Sequence, residues 1–389
     1  MRFGYTTGSC ATAAAKAAAI GLFTGNIPDE VEIDTPGGVK LKLMILHKRL
    51  SDSFSECAVQ KDAGDDPDVT NGCEVFARVE KKDIDIVEID GGEGVGRVTK
   101  PGLQVPVGKA AINPVPRRMI ENAVRLVAGE GVGVRVIVSV PCGNKLSKRT
   151  FNPRLGIIGG ISIIGTIGLV RPMSEDAFKT SLLCGLDIAK GSGFETVVLV
   201  PGSLGERSIH NLFDVQKDQV IQMSNFVGFM LVEAQKRGFK KIIVAGHPGK
   251  LIKLLRGDFQ THSSVSKPAN DILLDIIEQH YCKQITTPLS PPSQGGDFVV
   301  SAQSNDEGEV ADEIFNNLKG ISTIEGMVEI LRDYGGLFIL NYVANKIEST
   351  ILKFLQCKLE AGVILFDMKG SIVGISNNAK TWLEAIKTK

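Results

Sequence analysis

What this chain of 389 residues does without narrows its chemistry before any motif is considered. Net charge is missing: Lys+Arg and Asp+Glu number 44 each and the pI is near 7, so the sequence shows no electrostatic footprint for nucleic acid. Aromatic residues make up 6%, too few for a base-stacking surface. No C-x-x-C pair occurs among the seven cysteines, which are scattered and odd in number and read as reduced thiols, neither a disulfide framework nor a zinc site. The five histidines are equally dispersed, so no metal site is expected. The longest apolar run, residues 156–170, has fifteen residues and four interior glycines, short of a membrane span. The first residues are poor in basic side chains and run straight into a polar turn, which predicts no signal peptide and a cytoplasmic protein.

Two phosphate-binding fingerprints are also absent. The run Asp90-Gly-Gly-Glu-Gly-Val-Gly has Arg97 where a G-x-G-x-x-G pattern requires its third glycine. From Gly102 to Gly108-Lys109 the spacing is one residue too long for a P-loop, and Ala110 stands where Ser or Thr would hold magnesium. Nucleotide-triphosphate chemistry is therefore not expected.

What is present starts with that glycine-rich stretch. Five glycines between 91 and 102 predict either a sharp turn or a main chain that a ligand can approach; a surface loop feeding a helix is the plainer alternative. Asn113 and Pro114 then open a helix with Arg117 and Arg118 in its first turns, where free N–H groups and the dipole favour anions. Upstream, Ser9 reads as the cap of an alanine-rich helix ending at Gly25, and its first turn gathers the hydroxyls of Thr6, Thr7 and Ser9. Cys10 beside them has no nearby histidine in sequence to activate it as a nucleophile. Residues 31–89 switch to period two: a hairpin around Pro36-Gly37-Gly38, then strands at 55–60, 74–79 and 84–89. Between them Asp62, Asp65, Asp66 and Asp68 crowd one loop without an EF-hand pattern, which reads as an acidic turn, a cation site, or an aspartate facing a ligand.

A strand at 134–140 and a basic link place a domain boundary near residue 150, closing an α+β domain that holds the alanine-rich helix and the DGGEGVG loop. Residues 151–389 alternate strand and helix, an α/β pattern. Strand ends near 200, 223 and 245 run into PGSLGE, SNFVG and GHPGK, and glycine-rich turns at strand C-termini are where open α/β sheets bind ligands. His247 sits in the last of these, and a solvated loop histidine is its other reading. Residues 286–305 are rich in Pro, Ser, Gln and Gly and predict a flexible insertion.

In order, GYTTGSCATAAAKAA, KDAGDDPDVTNG, DGGEGVGRVTKPGLQVPVGKAAINPVPRRMI, FNPRLGIIGGISIIGTIGLVRPMSE, PGSLGER, SNFVGFML, GHPGKLIKLLRGDFQTHS and VILFDMKGSIVG resemble the cobalt-precorrin-5B C(1)-methyltransferase family, CbiD, over nearly the whole chain. The resemblance implies methyl transfer from S-adenosyl-methionine to ring carbon 1 of cobalt-precorrin-5B, giving cobalt-precorrin-6A in anaerobic cobalamin biosynthesis. It also implies an α+β domain joined to a three-layer, Rossmann-like α/β domain, the latter with the methyl-donor site. The macrocycle carries carboxylate arms, which suit Arg117, Arg118, Arg154 and Lys250, with Thr6, Thr7 and Ser9 also assigned to the substrate. Gly202, Gly205, Glu206, Gly246 and Gly249 are assigned to the donor, and Asp65, Asp66 and His247 to catalysis. Cobalt belongs to the substrate, so no protein-bound metal is implied. The expected partners are the corrinoid and, transiently, other enzymes of that route, with neither nucleic acid nor membrane. A corrinoid carrier without a methyl donor is the rival reading, and a nicotinamide-linked reductase is disfavoured by the missing fingerprint.

Overall fold

The computed structural model describes residues 1–286, 315–356 and 358–386. Two compact units divide it, Met1–Thr180 and Ser181–Lys389. The division falls later than residue 150 because 157–170 is stitched by backbone pairing to the first unit.

The first unit contains β1 (Gly4–Tyr5), α1 (Thr7–Thr24), β2 (Glu30–Asp34), β3 (Lys40–Met44), β4 (Leu46–Leu50), β5 (Phe54–Gln60), β6 (Glu74–Lys82), β7 (Val87–Gly91), β8 (Arg97–Val98), α2 (Pro114–Ala128), β9 (Gly133–Ser139), α3 (Gly143–Ser147), β10 (Ile157–Ile158) and β11 (Leu169–Val170). Its main sheet has the order β4-β5-β6-β9-β7, antiparallel except for β7 beside β9. The inward residues of β6 (Val75, Ala77, Val79) and β9 (Val134, Val136, Val138) alternate with outward ones and share a core with α1 and α2. Alanine explains the position of α1. With side chains this small the helix is buried on nearly every side and packs on β5, β6 and α2. Thr6 caps it by accepting from the Ser9 N–H at 3.2 Å, and Gly25 ends it at φ 78°. Ser9, the expected cap, lies inside the first turn instead.

The second unit begins within α4 (Glu175–Gly191) and continues through β12 (Thr196–Val200), α5 (Ser203–Leu212), β13 (Val220–Gln222), α6 (Val227–Lys236), β14 (Lys241–Gly246), α7 (Pro248–Leu251), α8 (Asn270–Thr286), α9 (Ile324–Asp333), α10 (Phe338–Phe354), β15 (Glu360–Phe366), β16 (Ile372–Ile375) and α11 (Asn377–Ala385). Strand order is β13-β12-β14-β15-β16, the first four parallel and β16 antiparallel. Both faces are covered. Leu199 and Val244 face a core with α4, α6 and α10; Val200 and Ala245 face Ile209 of α5 and Trp382 of α11. Helix α5 has no counterpart in the sequence reading, since its apolar stripe is short and it starts inside a glycine-rich turn. The insertion expected at 286–305 lies, beyond Thr286, outside the described residues. Among the described residues no helix is long and apolar enough to cross a membrane.

Candidate active site

In the first unit the structure turns most of the expected polar residues onto the protein itself. Thr6, Thr7 and Ser9 are buried. Ser9 Oγ donates to the Gly168 carbonyl at 2.7 Å, and Thr7 Oγ1 accepts from the Ile164 N–H at 3.0 Å. Their hydroxyls therefore hold the 162–168 segment against α1 instead of facing a substrate. Cys10 is fully buried and burial pushes its thiol far up, which leaves no nucleophile there.

The acidic loop is likewise a framework. Asp62 pairs with Arg2, and Asp65 accepts from the Arg2 N–H at 2.6 Å. Asp66 accepts from the Met173 N–H at 2.9 Å. Asp68 receives the buried Lys61 ammonium at 2.7 Å together with the Thr70 N–H at 2.8 Å. No group of residues that could hold a metal ion occurs among the described residues.

The glycine-rich stretch is packed from within. Gly94 has φ 69°, and a Cβ there would lie 1.8 Å from the Val140 carbonyl oxygen. A Cβ on Gly160 would lie 2.1 Å from the Gly94 oxygen, and one on Gly143 2.0 Å from the same atom. The backbone of 94–96 thus threads between two other backbones and binds them, Gly96 N–H to Ile161 oxygen and Ile161 N–H to Gly94 oxygen, each 2.9 Å. It is no ligand cradle.

Arg117 and Arg118 part company. Arg117 is half-buried and donates to the carbonyls of Ile112 (3.1 Å) and Ile89 (2.8 Å), and burial lowers its pKa against the pull of Asp90. Arg118, one position on, is exposed and has no hydrogen bond or ion pair among the described residues. Arg154 is exposed as well, its carbonyl accepting from Lys100 at 3.1 Å. An open groove of about 380 Å³ runs past Phe3, Tyr5, Val39, Leu41 and Leu169, with exposed Arg171 on its lining. Nothing in the sequence drew Arg171 out, because its neighbours in the groove come from three separate segments.

In the second unit the expected residues gather at the C-terminal edge of the parallel strands. From β12 the chain passes to the face carrying α5; from β13 and β14 it passes to the opposite face, which carries α6 and α7. The connections thus diverge to opposite faces at the end of β12, and it is at such points that open α/β sheets take ligands. Gly202 lies just past Pro201 beyond β12, with φ −178° and no atom within 4 Å of a Cβ built there. Gly205 and Gly246 serve packing: their Cβ atoms would meet the Ala245 oxygen and the Pro201 Cδ, each at 2.8 Å. Glu206 Oε2, in the first turn of α5, accepts from Gln222 Nε2 at 2.7 Å, which ties α5 to the end of β13.

His247 caps α7. Its Nδ1 accepts from the Gly249 N–H at 3.0 Å, so the proton sits on Nε2, which donates to Glu325 Oε2 at 2.8 Å. The other Glu325 oxygen accepts from the Met368 N–H at 3.0 Å, beyond β15. Asp367, buried beside it, pairs with Arg332 at 2.6 Å. Both nitrogens of His247 are engaged, which suits a loop anchor better than a free base. Glu325, Asp367 and Arg332 were not singled out by sequence reasoning, since they reach this edge from α9 and from the turn between β15 and β16.

The family model described as CbiD matches residues 1–172, and the one described as CbiD, C-terminal domain, matches 307–377. A protein of Alkaliphilus metalliredigens named Cobalt-precorrin-5B C(1)-methyltransferase is 40% identical over all of this chain and 96% of its own length. A relative of the same name from Thermoanaerobacter sp. is 39% identical over 98% of this chain and 97% of its own. A crystal structure of the cobalamin biosynthesis protein CbiD from Archaeoglobus fulgidus is 28% identical, covering 63% of this chain and 76% of that one at a TM-score of 0.35. The chain, with its mixed α/β architecture, belongs to the CbiD family.

Proposed function

We propose that this protein is a C-methyltransferase acting on carbon 1 of cobalt-precorrin-5B, with S-adenosyl-methionine as methyl donor and cobalt-precorrin-6A as product. The observation that carries the reading is similarity along the entire length to relatives of that name. We assign the second unit to the Rossmann-like class on its strand order and two covered faces, and the donor to the edge at Gly202, Gly205, Glu206, Gly246 and Gly249. The fit is favourable at Gly202, where the backbone is open to a close approach, and at Glu206, a carboxylate suited to hydroxyl or ammonium groups. S-adenosyl-methionine supplies an electrophilic methyl, and the attacking atom is an electron-rich carbon of the macrocycle. The protein's task is chiefly alignment, which can supply about 7–11 kcal/mol of such a barrier. Arg118, Arg154 and Arg171, exposed on the first unit, are assigned to the carboxylate arms.

Incubation with methyl-labelled S-adenosyl-methionine and cobalt-precorrin-5B should place one labelled methyl on the corrinoid, and calorimetry should detect S-adenosyl-homocysteine but not NAD or ATP. Corrinoid binding with neither transfer nor homocysteine-adduct binding would make the protein a carrier instead.

A further inference from the structure

At the same strand-end edge lie two lysines, Lys250 and Lys253, neither of which forms an ion pair among the described residues. Lys250 Nζ donates to Asn225 Oδ1 at 3.0 Å, a link from α7 beyond β14 to the loop beyond β13. These two strands flank β12, so the link lies beside the end that leads to Gly202. Lys250 forms no ion pair among the described residues, and an ammonium has three donors where Asn225 takes one. Lys253 is buried, with Nζ on the carbonyls of Thr261 (3.1 Å) and Ser266 (3.1 Å). The acid that senses Lys253, Asp258, already has Oδ2 on Arg256 Nε (3.0 Å) and Ser266 Oγ (2.7 Å). Burial and the neighbouring Lys253 both lower the pKa of Lys250, which marks a cation short of a counter-charge.

Two further features adjoin the link. Ser224, next to Asn225, holds the left-handed conformation at φ 53°, a strained state that a non-glycine residue keeps only where its surroundings impose it. Thr261, whose N–H donates to the Asn225 carbonyl at 2.9 Å, is buried with its hydroxyl unpartnered among the described residues. A half-buried positive charge that no carboxylate answers among the described residues is a candidate anion site.

We infer that Lys250, held by Asn225 beside the end of β12, binds a ligand carboxylate. The inference rests on the methyltransferase reading, which offers two sources of that group: the amino-acid end of the donor or an arm of the corrinoid. Three probes separate them: S-adenosyl-homocysteine, 5′-methylthioadenosine (which lacks the amino-acid end) and cobyrinic acid.

For Lys250→Met, calorimetry should show affinity for one carboxylate probe reduced at least about tenfold, as for a lost charge-assisted bond, with 5′-methylthioadenosine unchanged. Loss for S-adenosyl-homocysteine alone identifies the donor carboxylate; loss for cobyrinic acid alone identifies a corrinoid arm. Asn225→Asp, nearly isosteric, places a protein carboxylate against Lys250 and should weaken the same probe, while Lys250→Arg should restore it. Should Lys250→Met not fold, Asn225→Asp and Lys250→Arg decide the matter alone. Unchanged affinities in the folded variants, or equal loss for all three probes including 5′-methylthioadenosine, overturn the inference. Wild-type protein that binds none of the three removes the methyltransferase reading, and this inference with it.

Discussion

At the scale of single residues, adjacent or chemically identical side chains take unlike roles, and their surroundings explain why. Arg117 satisfies the carbonyls of Ile112, just before α2, and of Ile89 in β7, whereas Arg118 reaches solvent. Arg117→Ala should therefore lower stability by about 2 kcal/mol, as for buried acceptors left unmet. Arg118→Ala should stay within about 0.5 kcal/mol of wild type and, if Arg118 meets an arm, weaken cobyrinic acid binding about tenfold. Urea melts and titrations check both; equal destabilisation would mean the two arginines are equivalent. Asp68 gives a pH-dependent case. Burial raises its carboxyl, but the Lys61 ammonium and the Thr70 donors outweigh burial and hold it below the usual range. A carboxyl depressed in the folded state adds stability that is complete above its ordinary value, about 3.9, and is lost as pH falls through the folded value. Asp68→Asn strands the buried Lys61 and should destabilise by about 3 kcal/mol near neutrality. The gap to wild type should narrow below about pH 4. Melts that show the same gap at both pH values would rule out this linkage.

At the scale of elements, glycines that look alike in sequence divide into those that pack backbone on backbone and those that leave space. Gly94 and Gly202 are the extremes. Gly94→Ala adds a Cβ onto the Val140 oxygen at positive φ and should lower stability by about 3 kcal/mol or more. Gly202→Ala meets no atom and should leave stability within about 0.5 kcal/mol. If the donor approaches there, Gly202→Ala still reduces S-adenosyl-homocysteine affinity. Thermal melts and calorimetry on the pair test this, and a stable Gly94→Ala would show that the threaded backbone can relax. Gly246→Val, by contrast, would strike Pro201, so a binding loss in that variant would report packing.

At the scale of the whole molecule, each unit has a core of its own: α1, α2 and the β5–β6–β9 sheet in one, and the two faces of the parallel sheet in the other. Scanning calorimetry should resolve two transitions. S-adenosyl-homocysteine at a hundred times its dissociation constant should stabilise the second unit alone, by about 2.7 kcal/mol. A ligand shift confined to the transition of the first unit would reverse the assignment of the donor.

The sequence by itself determined what depends on near neighbours. Residue period and turn chemistry located the β2–β3 hairpin, the start of α2 at Pro114, the parallel-strand runs and their glycine-rich ends, and the ordered blocks identified the family. Short-range signals of this kind survive in any context, because a proline, a glycine or an alternating apolar pattern acts on its own few residues. Partnership was decided only by the tertiary structure. Thr7 turned to Ile164, 157 residues away, and His247 to Glu325, 78 away. Whether a hydroxyl, carboxylate or guanidinium is free for a ligand depends on which distant backbone or charge packing brings beside it. The acidic loop, the threonine turn and the glycine-rich stretch therefore became framework. Among the described residues, the Lys250 ammonium is partly answered by Asn225, 25 residues off.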